Sequence, residues 1–383
     1  MFVSFLYPFR LRGRLAPYLW VAYKQIGDLS PEQVCFIASA AYRVDPAHYA
    51  AAHRFECSAP RNDELGFAVP APTRFADYAW YDVPDEIWRQ LKRDWLTDGQ
   101  VWLRLIRDPE PRLTAYLRAT LAMIQRQRKI RAILAWCHCA SLSAAARALD
   151  LPVIHCELGP LRDPWYRPLG YVDFRSVNGD TEAAARFQRF LVARRRPAPL
   201  SRAALLDLLR GPRYDPGTDE PAAYALGVAL QVEDDANVLA YHEGFTPALV
   251  LEYALEDTPA EQVLIRPHPA GHFGPPRRGV IDRSPTSMAF VRRCRALLTL
   301  NSSVAVEALL AGVPTRILGQ SPARIVSAAP PRLAAAALDF LLLGYCVPYR
   351  LIFSAEYFLW RLTQPSEEAI RQYHLERLRN PDD

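Results

Sequence analysis

The chain has 383 residues, of which 50% are hydrophobic and 23% charged, and its formal net charge is +5. This composition is typical of a folded globular protein and excludes an intrinsically disordered one. The modest positive charge lacks the spaced aromatic and basic residues of a nucleic-acid-binding module, so we expect no nucleic-acid partner.

Seven cysteines, an odd number, do not predict a disulfide framework in a chain of this length. Cys137-His138-Cys139 and His155-Cys156 have the residue types of a zinc site. However, neighbours on a strand point to opposite faces and cannot easily converge on one ion. We therefore predict core packing for these residues and no metal or other cofactor.

The N-terminal segment is apolar and aromatic, but Arg10, Arg12 and Arg14 interrupt it, which predicts that it is not a signal peptide. Residues 340–349 are uncharged but too few to cross a bilayer, which needs about 20 apolar residues. We expect a cytoplasmic protein.

The first half of the chain has the pattern of a parallel α/β domain. Strand-like runs occur at 34–38, 133–138 and 153–156, and apolar residues recur at helical spacing through 85–131. A helix predicted at 141–150 between two strands gives the βαβ rhythm of a parallel sheet. We predict a Rossmann-like domain with a helical insertion over 1–210.

Residues that interrupt helices and strands then mark a boundary between two predicted domains. Residues 194–199 are basic and proline-rich, 201–209 predict a short helix, and 211–222 predict a linker.

The second half alternates strands and helices on short connections, which is typical of a doubly wound domain over 223–330. Ligands of such domains bind at the carboxyl ends of the strands. The tail at 331–383 has a helical pattern. The predicted strands are 224–230, 262–266, 279–282, 296–300 and 315–318, and the predicted helices are 246–255, 287–294 and 304–310.

Asn301-Ser302-Ser303 follows one of these strands and precedes a helix. Free backbone N–H groups at the helix start, together with serine hydroxyls, predict a phosphate site. The alternative is plain N-capping of the helix by a serine.

His268 lies between two prolines after another strand, where it can bind or protonate a leaving phosphate. A structural histidine in a proline turn is the alternative. Arg266 is either a second phosphate ligand or a salt-bridge partner.

Two carboxylates complete the pattern. Asp235 ends the acidic run that begins at Glu233, and we expect it to face the ligand. Glu157 ends an apolar strand, a poor place for an unpaired carboxylate, unless it pairs structurally with Arg162. Two carboxylates across a cleft suit glycosyl transfer.

Four motifs follow one another along the chain: Glu157-x-Gly159-x-Leu161-Arg162, Gln231-Val232-x-x-Asp235, Arg266-x-His268-Pro269, and Asn301-Ser302-Ser303 with Glu307-Ala308-Leu309 and Gly312-Val313-Pro314. In order and spacing, from about residue 133 to 319, they resemble the motifs of the retaining β-Kdo transferases of bacterial capsule and O-antigen assembly. The first two motifs discriminate best, because the other two also resemble bacterial sialyltransferases.

The resemblance implies a GT-B-like fold, in which two Rossmann-like domains face each other across a cleft and C-terminal helices cross back onto the N-terminal domain. It implies that 1–210 is the acceptor side, that 223–330 binds a CMP-sugar, and that 331–383 packs back on the first domain. It also implies CMP-β-Kdo as donor and no metal.

By the same resemblance, Asp235 is the nucleophile and Glu157 deprotonates or orients the acceptor. His268, Ser302 and Ser303 hold the CMP phosphate. Five further residues are expected to bind substrate: Arg162, Gln231, Arg266, Asn301 and Glu307.

Family acceptors are glycans on lipid carriers, so the resemblance implies work at the inner face of the cytoplasmic membrane beside other transferases. The alternatives are another CMP-sugar transferase of the sialyltransferase type, a nucleotide-diphosphate-sugar transferase or epimerase, and a non-catalytic scaffold in a polysaccharide-assembly complex.

Overall fold

The computed structural model describes residues 1–11, 13–45, 47–48, 63–94, 97–177, 179–193, 197–215, 222–269, 271 and 278–380. The chain divides into two compact units. The first comprises Met1–Glu157, Val172–Val177 and Arg350–Gln364, and the second Leu158–Tyr171, Asn178–Tyr349 and Pro365–Asp383. The domain bounds predicted from the sequence stay predictions. The basic residues 194–196 and residues 216–221 of the predicted linker lie outside the described residues.

The strands are β1 (Phe2–Phe5), β2 (Val34–Ala38), β3 (Trp80–Asp82), β4 (Ala132–Ala135), β5 (Val153–Leu158), β6 (Leu169–Asp173), β7 (Leu226–Ala229), β8 (Val263–Arg266), β9 (Val280–Ile281), β10 (Leu297–Thr299), β11 (Thr315–Ile317) and β12 (Cys346–Pro348).

The α-helices are α1 (Leu19–Asp28), α2 (Asp85–Asp94), α3 (Asp98–Arg107), α4 (Pro111–Gln127), α5 (Ala140–Arg147), α6 (Ala183–Leu191), α7 (Arg202–Leu209), α8 (Ala236–Ala240), α9 (Pro247–Asp257), α10 (Ser287–Arg292), α11 (Val304–Ala311), α12 (Arg324–Ser327), α13 (Pro331–Asp339), α14 (Ala355–Leu362) and α15 (Glu367–Arg379). Short 3₁₀ turns cover Ala40–Arg43, Pro72–Asp77, Ala260–Gln262 and Tyr349–Phe353, and Phe340–Tyr345 is a π-helix.

The first unit is built on parallel strands in the order β3-β2-β1-β4-β5. Strand β1 lies in the middle, and all four of its residues are buried. A strand buried on both faces is a continuous apolar run rather than an alternating one. The order 3-2-1-4-5 is that of a Rossmann-type sheet.

The second unit repeats this order with its own parallel strands, β9-β8-β7-β10-β11. The chain reverses direction across the sheet between β7 and β10, which makes that junction the topological switch point. The apolar core of the second unit lies between the sheet and α9, with Val228, Val250, Ile265 and Leu298 among the buried residues. The predicted fold class, α/β with two Rossmann-like units, is confirmed.

Helix α9 shows how the local sequence starts an element. The Thr246 hydroxyl accepts a hydrogen bond from the Leu249 backbone N–H (3.2 Å), and Pro247 occupies the first helical turn. Both residues favour a helix start, because one satisfies a free N–H and the other lacks one. The pattern Thr-Pro therefore gave the start of this helix correctly.

The C-terminal segment holds buried ion pairs inside the second unit. Arg186 of α6 binds Glu367 of α15 through 2.9–3.2 Å contacts, and Arg371 binds Asp339 at 2.6 and 2.8 Å. All four side chains are almost wholly buried. A buried charge without a partner is strongly unfavourable, so these pairs fix where α15 packs against α6 and α13.

No helix in the described part of the chain combines the length and the apolar character needed to cross a membrane. Residues 340–349, noted in the sequence as an uncharged segment, are buried in the second unit.

Gly159 is the glycine of the Glu-x-Gly motif, and its backbone lies against that of Leu169. The Gly159 N–H donates to the Leu169 carbonyl (2.8 Å), and a Cβ at this position would lie 2.5 Å from that same oxygen. The motif therefore needs glycine for packing, since no side chain fits between the two segments.

We expect Gly159→Ala to lower the free energy of unfolding by about 1–3 kcal/mol, because the added methyl group overpacks against backbone that cannot rotate away. Denaturant unfolding followed by circular dichroism measures this. The matched control is Gly27→Ala in α1, where a Cβ meets nothing within 4 Å. That change should stabilise the helix by about 0.5–1 kcal/mol. Equal effects of the two substitutions would contradict the packing argument.

Candidate active site

Three predicted motifs leave three neighbouring strands of one parallel sheet at the same level. Ala229 of β7 pairs with Thr299 of β10 on one side and with Arg266 of β8 on the other. Two residues beyond each of these positions stand Gln231, Asn301 and His268. The motifs are thus brought together at the carboxyl edge, beside the switch point where ligands of such sheets bind.

Asp235 is held at the start of helix α8. Its carboxylate Oδ1 accepts a hydrogen bond from the Asn237 backbone N–H (2.9 Å), and its own carbonyl accepts from Leu239 N–H (2.8 Å). Asp235 is half-buried. The capping bond fixes the orientation of the carboxylate, because it uses one oxygen to satisfy an N–H that the short helix leaves free.

Gln231 and Asn301 join β7, β10 and α8. The Asn301 backbone N–H donates to Gln231 Oε1 (3.1 Å), so the side chain of one motif binds the backbone of another. Asn301 Nδ2 donates to the carbonyl oxygens of Asn237 (3.0 Å) and Tyr241 (3.4 Å), at the two ends of α8. These bonds hold the helix that carries Asp235 against the end of β10.

Asn301 is 92% buried, with a relative exposure of 8%. Its carbonyl Oδ1 is shielded from solvent without a hydrogen-bond partner among the described residues. A buried amide donates and accepts, and only its donor side is used here. Asn301 therefore positions α8 through its donor side.

The two serines have different surroundings. Ser302 Oγ accepts a hydrogen bond from the Val304 N–H (3.3 Å) at the start of α11. This bond is of the kind expected if a serine caps the helix. Ser303 is exposed at the N-cap position of α11 and makes no side-chain capping bond. Helix α11 ends at Gly312, whose left-handed φ of 86° glycine adopts without strain.

His268 is exposed, whereas Arg266 is used in a salt bridge. His268 is exposed after the end of β8, and its carbonyl accepts from Gly271 N–H (2.9 Å). The Arg266 guanidinium instead binds buried Asp282 (2.5 Å) and the Ser284 carbonyl (3.0 Å). Of the two roles considered for Arg266, the structure shows the salt bridge.

Glu307 of α11 is buried, and both of its oxygens are used inside the second unit. Ser287 Oγ donates to one (2.6 Å) and the Tyr166 hydroxyl to the other (3.1 Å). Burial raises the pKa of Glu307 above its usual range. Burial also raises the pKa of Tyr166, which keeps that hydroxyl protonated and able to donate.

Glu157 and Arg162 of the first motif belong to different units. Glu157 is half-buried near the end of β5 in the first unit. Arg162 lies in the second unit, is exposed, and its Nε donates weakly to the Gly159 carbonyl (3.4 Å). The assignment of both residues to catalysis and substrate binding stays a prediction.

The residues beside Glu157 form the core of the first unit. Cys137, Cys139 and Cys156 are buried, as core packing requires. Burial, with His138 at a ring-centroid distance of 5.3 Å, lowers the pKa of His155 to about 3. His155 is therefore neutral at physiological pH, since a buried imidazole loses the hydration that its charged form needs.

Sequence reasoning missed the groups that hold the site together. The carbonyls of Asn237 and Tyr241 carry no side-chain signal at all. The capping role of Asp235 did have one, because Asp followed by Ala-Asn-Val-Leu is a common helix start. Tyr166 and Ser287, the partners of Glu307, lie 141 and 20 residues away in sequence and give no local pattern.

A family model, the N-terminal domain of the glycosyltransferase 99 family, matches residues 4–182. This match supports a glycosyltransferase. It covers slightly less than half of the chain and includes the motif that begins at Glu157. No curated protein matches the chain.

Several solved structures are similar at low sequence identity. The β-Kdo 2,4 transferase of Thermosulfurimonas dismutans KpsC has 15% identity and a TM-score of 0.41, over 55% of this chain and 80% of that one. The β-Kdo 2,7 transferase of the same KpsC has 17% identity and a TM-score of 0.38, over 63% and 90%. The glycosyltransferase SnogD from Streptomyces nogalater has 13% identity and a TM-score of 0.31, over 94% and 98%.

We expect Asn301→Ala to lower the free energy of unfolding by about 1–3 kcal/mol, since it removes the buried side-chain hydrogen bonds from Asn301 to the carbonyls of Asn237 and Tyr241. Urea unfolding of the parent and the variant measures this difference. Asn380→Ala is the matched control at an exposed position and should change stability by less than about 0.5 kcal/mol. If the two asparagine variants were equally stable, the anchoring of α8 by Asn301 would be wrong.

Proposed function

We propose that the chain is a retaining glycosyltransferase that moves Kdo from CMP-β-Kdo to a glycan acceptor in cell-surface polysaccharide biosynthesis. The observation that carries this proposal is the convergence of Asp235, His268 and the Asn301–Ser303 segment at one sheet edge, beside the switch point. The family match over residues 4–182 supports the reaction class. The motif resemblance supports the choice of donor.

In the proposed reaction Asp235 is the nucleophile. One of its carboxylate oxygens attacks the anomeric C2 of Kdo, and the bond from C2 to the phosphate oxygen of CMP breaks with its electron pair. An acceptor hydroxyl oxygen then attacks C2 and releases the Asp235 carboxylate. Two inversions at C2 give net retention, and Glu157 takes or orients the proton of the acceptor hydroxyl.

The CMP phosphate is assigned to His268, Ser303 and the start of α11. His268 and Ser303 are exposed just beyond the ends of β8 and β10, so both are accessible to a ligand. The N-terminus of α11 carries the positive end of the helix dipole, which favours an anion. In this assignment Gln231 and Asn301 act mainly by positioning, because their hydrogen bonds are made to other groups of the protein.

We also propose that the acceptor is a lipid-linked glycan at the inner face of the cytoplasmic membrane. The first unit carries a suitable surface feature near its N-terminus. Leu15 is 55% exposed, and Arg10, five residues earlier in the chain, is exposed as well. An apolar side chain and a cation exposed in one segment favour contact with an anionic bilayer surface. Arg12 in this segment lies outside the described residues.

We expect calorimetric titration to show tighter binding of CMP than of UMP, UDP or ADP. His268→Ala should weaken CMP binding about tenfold, equivalent to about 1.4 kcal/mol, by removing a phosphate ligand. The matched control is His48→Ala, which changes an exposed histidine of the first unit.

Tighter binding of UDP than of CMP would overturn the choice of donor. Equal losses in the two histidine variants would overturn the assignment of the phosphate to His268.

A further inference from the structure

A cavity in the second unit has no lining residue from the motifs that carry Asp235 and His268. It is formed by the start of α6, the loop after β11, and helices α12 and α13, and its volume is about 510 Å³. Small-molecule sites usually measure about 300–1,000 Å³. We call it the α6–α13 pocket, and none of its lining residues has a role in the proposed reaction.

The charge of the pocket excludes an anion as its natural ligand. Its ionisable residues are Asp180, Glu243 and Arg324, two carboxylates and one guanidinium. Arg324 binds Glu243 at 2.8 Å, so the single cation is already paired. A phosphate or a nucleotide needs an excess of donors and positive charge, and this pocket has neither.

The uncharged lining suits a polyhydroxylated ring. Gln188, Thr181 and Ser321 provide amide and hydroxyl groups that donate and accept, as sugar hydroxyls do. Phe187 and Leu333 add apolar surface on which the C–H face of a sugar can pack. In a site of this kind, the apolar surface contacts a neutral ligand and the few polar groups fix its orientation.

The pocket is connected to the helix of Asp235 through one carbonyl. The Tyr241 carbonyl, just after α8, accepts from the Gln320 backbone N–H (2.9 Å) of the pocket wall and from Asn301 Nδ2 (3.4 Å). Gln320 Oε1 also accepts from the Asp180 N–H (2.8 Å), which ties the two walls together. Gly179 packs against the Tyr241 ring so closely that a Cβ would lie 2.2 Å from it.

We propose that the α6–α13 pocket binds a neutral pyranose unit of the glycan acceptor. The choice of ligand rests on the proposed glycosyl transfer, and the site adds a second contact with the acceptor chain beyond the sugar that reacts. Through Tyr241, occupation of the pocket is coupled to the position of α8. The proposal therefore predicts recognition of a longer glycan than a single acceptor sugar.

The test is saturation-transfer NMR on the full chain, without donor, with the methyl glycosides of rhamnose, galactose, glucose and N-acetylglucosamine as probes. At least one glycoside should receive saturation from the parent protein. Ala184→Phe fills the pocket from an exposed position of α6 and should weaken that binding at least about tenfold. Ala185→Phe is the matched control, because Ala185 is exposed on the same helix and does not line the pocket.

A second variant, Gln188→Leu, removes the amide without adding bulk and should also weaken binding. Absence of transfer from all four glycosides, or equal loss in the Ala184 and Ala185 variants, would overturn the proposal. Displacement of the sugar by inorganic phosphate would overturn it as well, since that result marks an anion site. CMP binding is measured separately to keep the two proposals distinct. If the chain binds CMP but no glycoside, only the proposal for the pocket is overturned and the proposed function stands.

Discussion

The parallel register of β8, β7 and β10 is the constraint on which the candidate site depends. Because Ala229 pairs with Arg266 on one side and Thr299 on the other, the three strands end together. The segments that follow must therefore share one edge of the sheet, however far apart they are in sequence. Gln231 then binds the backbone of Asn301, and Asn301 binds both ends of the helix that Asp235 caps. The orientation of the proposed nucleophile is thus fixed by strands that it does not belong to.

Buried polar groups explain which side chains remain accessible at that edge. Arg266 and Glu307 are both used inside the second unit, the first by Asp282 and the second by Tyr166 and Ser287. Each bond offsets a desolvation penalty that an unpaired buried group would impose. His268 and Ser303 are exposed instead. The site therefore separates an inner layer that positions the loops from an outer layer that a ligand can reach.

The sequence predicted the second unit well because its pattern is local. Strand-like runs, cap residues such as Thr246 and breakers placed β8, β10 and α9 within a few residues of their observed bounds. The N-terminal half was less readable. Strand β1 in the middle of its sheet and helix α1 were missed, since Phe2–Phe5 is short and Arg10, Arg12 and Arg14 interrupt the apolar segment that follows it. Strand β12 was missed inside an apparently helical tail, because its antiparallel pairing with β6 depends on residues about 180 positions away.

At the candidate site, the sequence identified the segments but not which of their residues position the loops by hydrogen bonds to the backbone. Asp235, Asn301 and Gln231 were all assigned to ligands from their motifs. The structure shows that Asp235 and Gln231 accept hydrogen bonds from backbone N–H groups and that Asn301 donates to backbone carbonyls, partners that no side-chain motif encodes. The same limit applied to Gly159, whose requirement for glycine comes from the backbone of Leu169. Contacts between distant backbone segments follow from the fold and have no local pattern.

The central claim is that Asp235 forms a covalent bond to the transferred sugar, and intact-mass analysis tests it most directly. A Glu157→Gln variant, in which release to the acceptor is slowed, would be incubated with CMP-Kdo, digested and mapped by tandem mass spectrometry. The account predicts a mass increase of one Kdo unit on the peptide that carries Asp235, and its loss in the Glu157→Gln, Asp235→Asn double variant. No adduct in the variant, with turnover by the parent enzyme, or an adduct on Asp234 instead, would contradict the assignment.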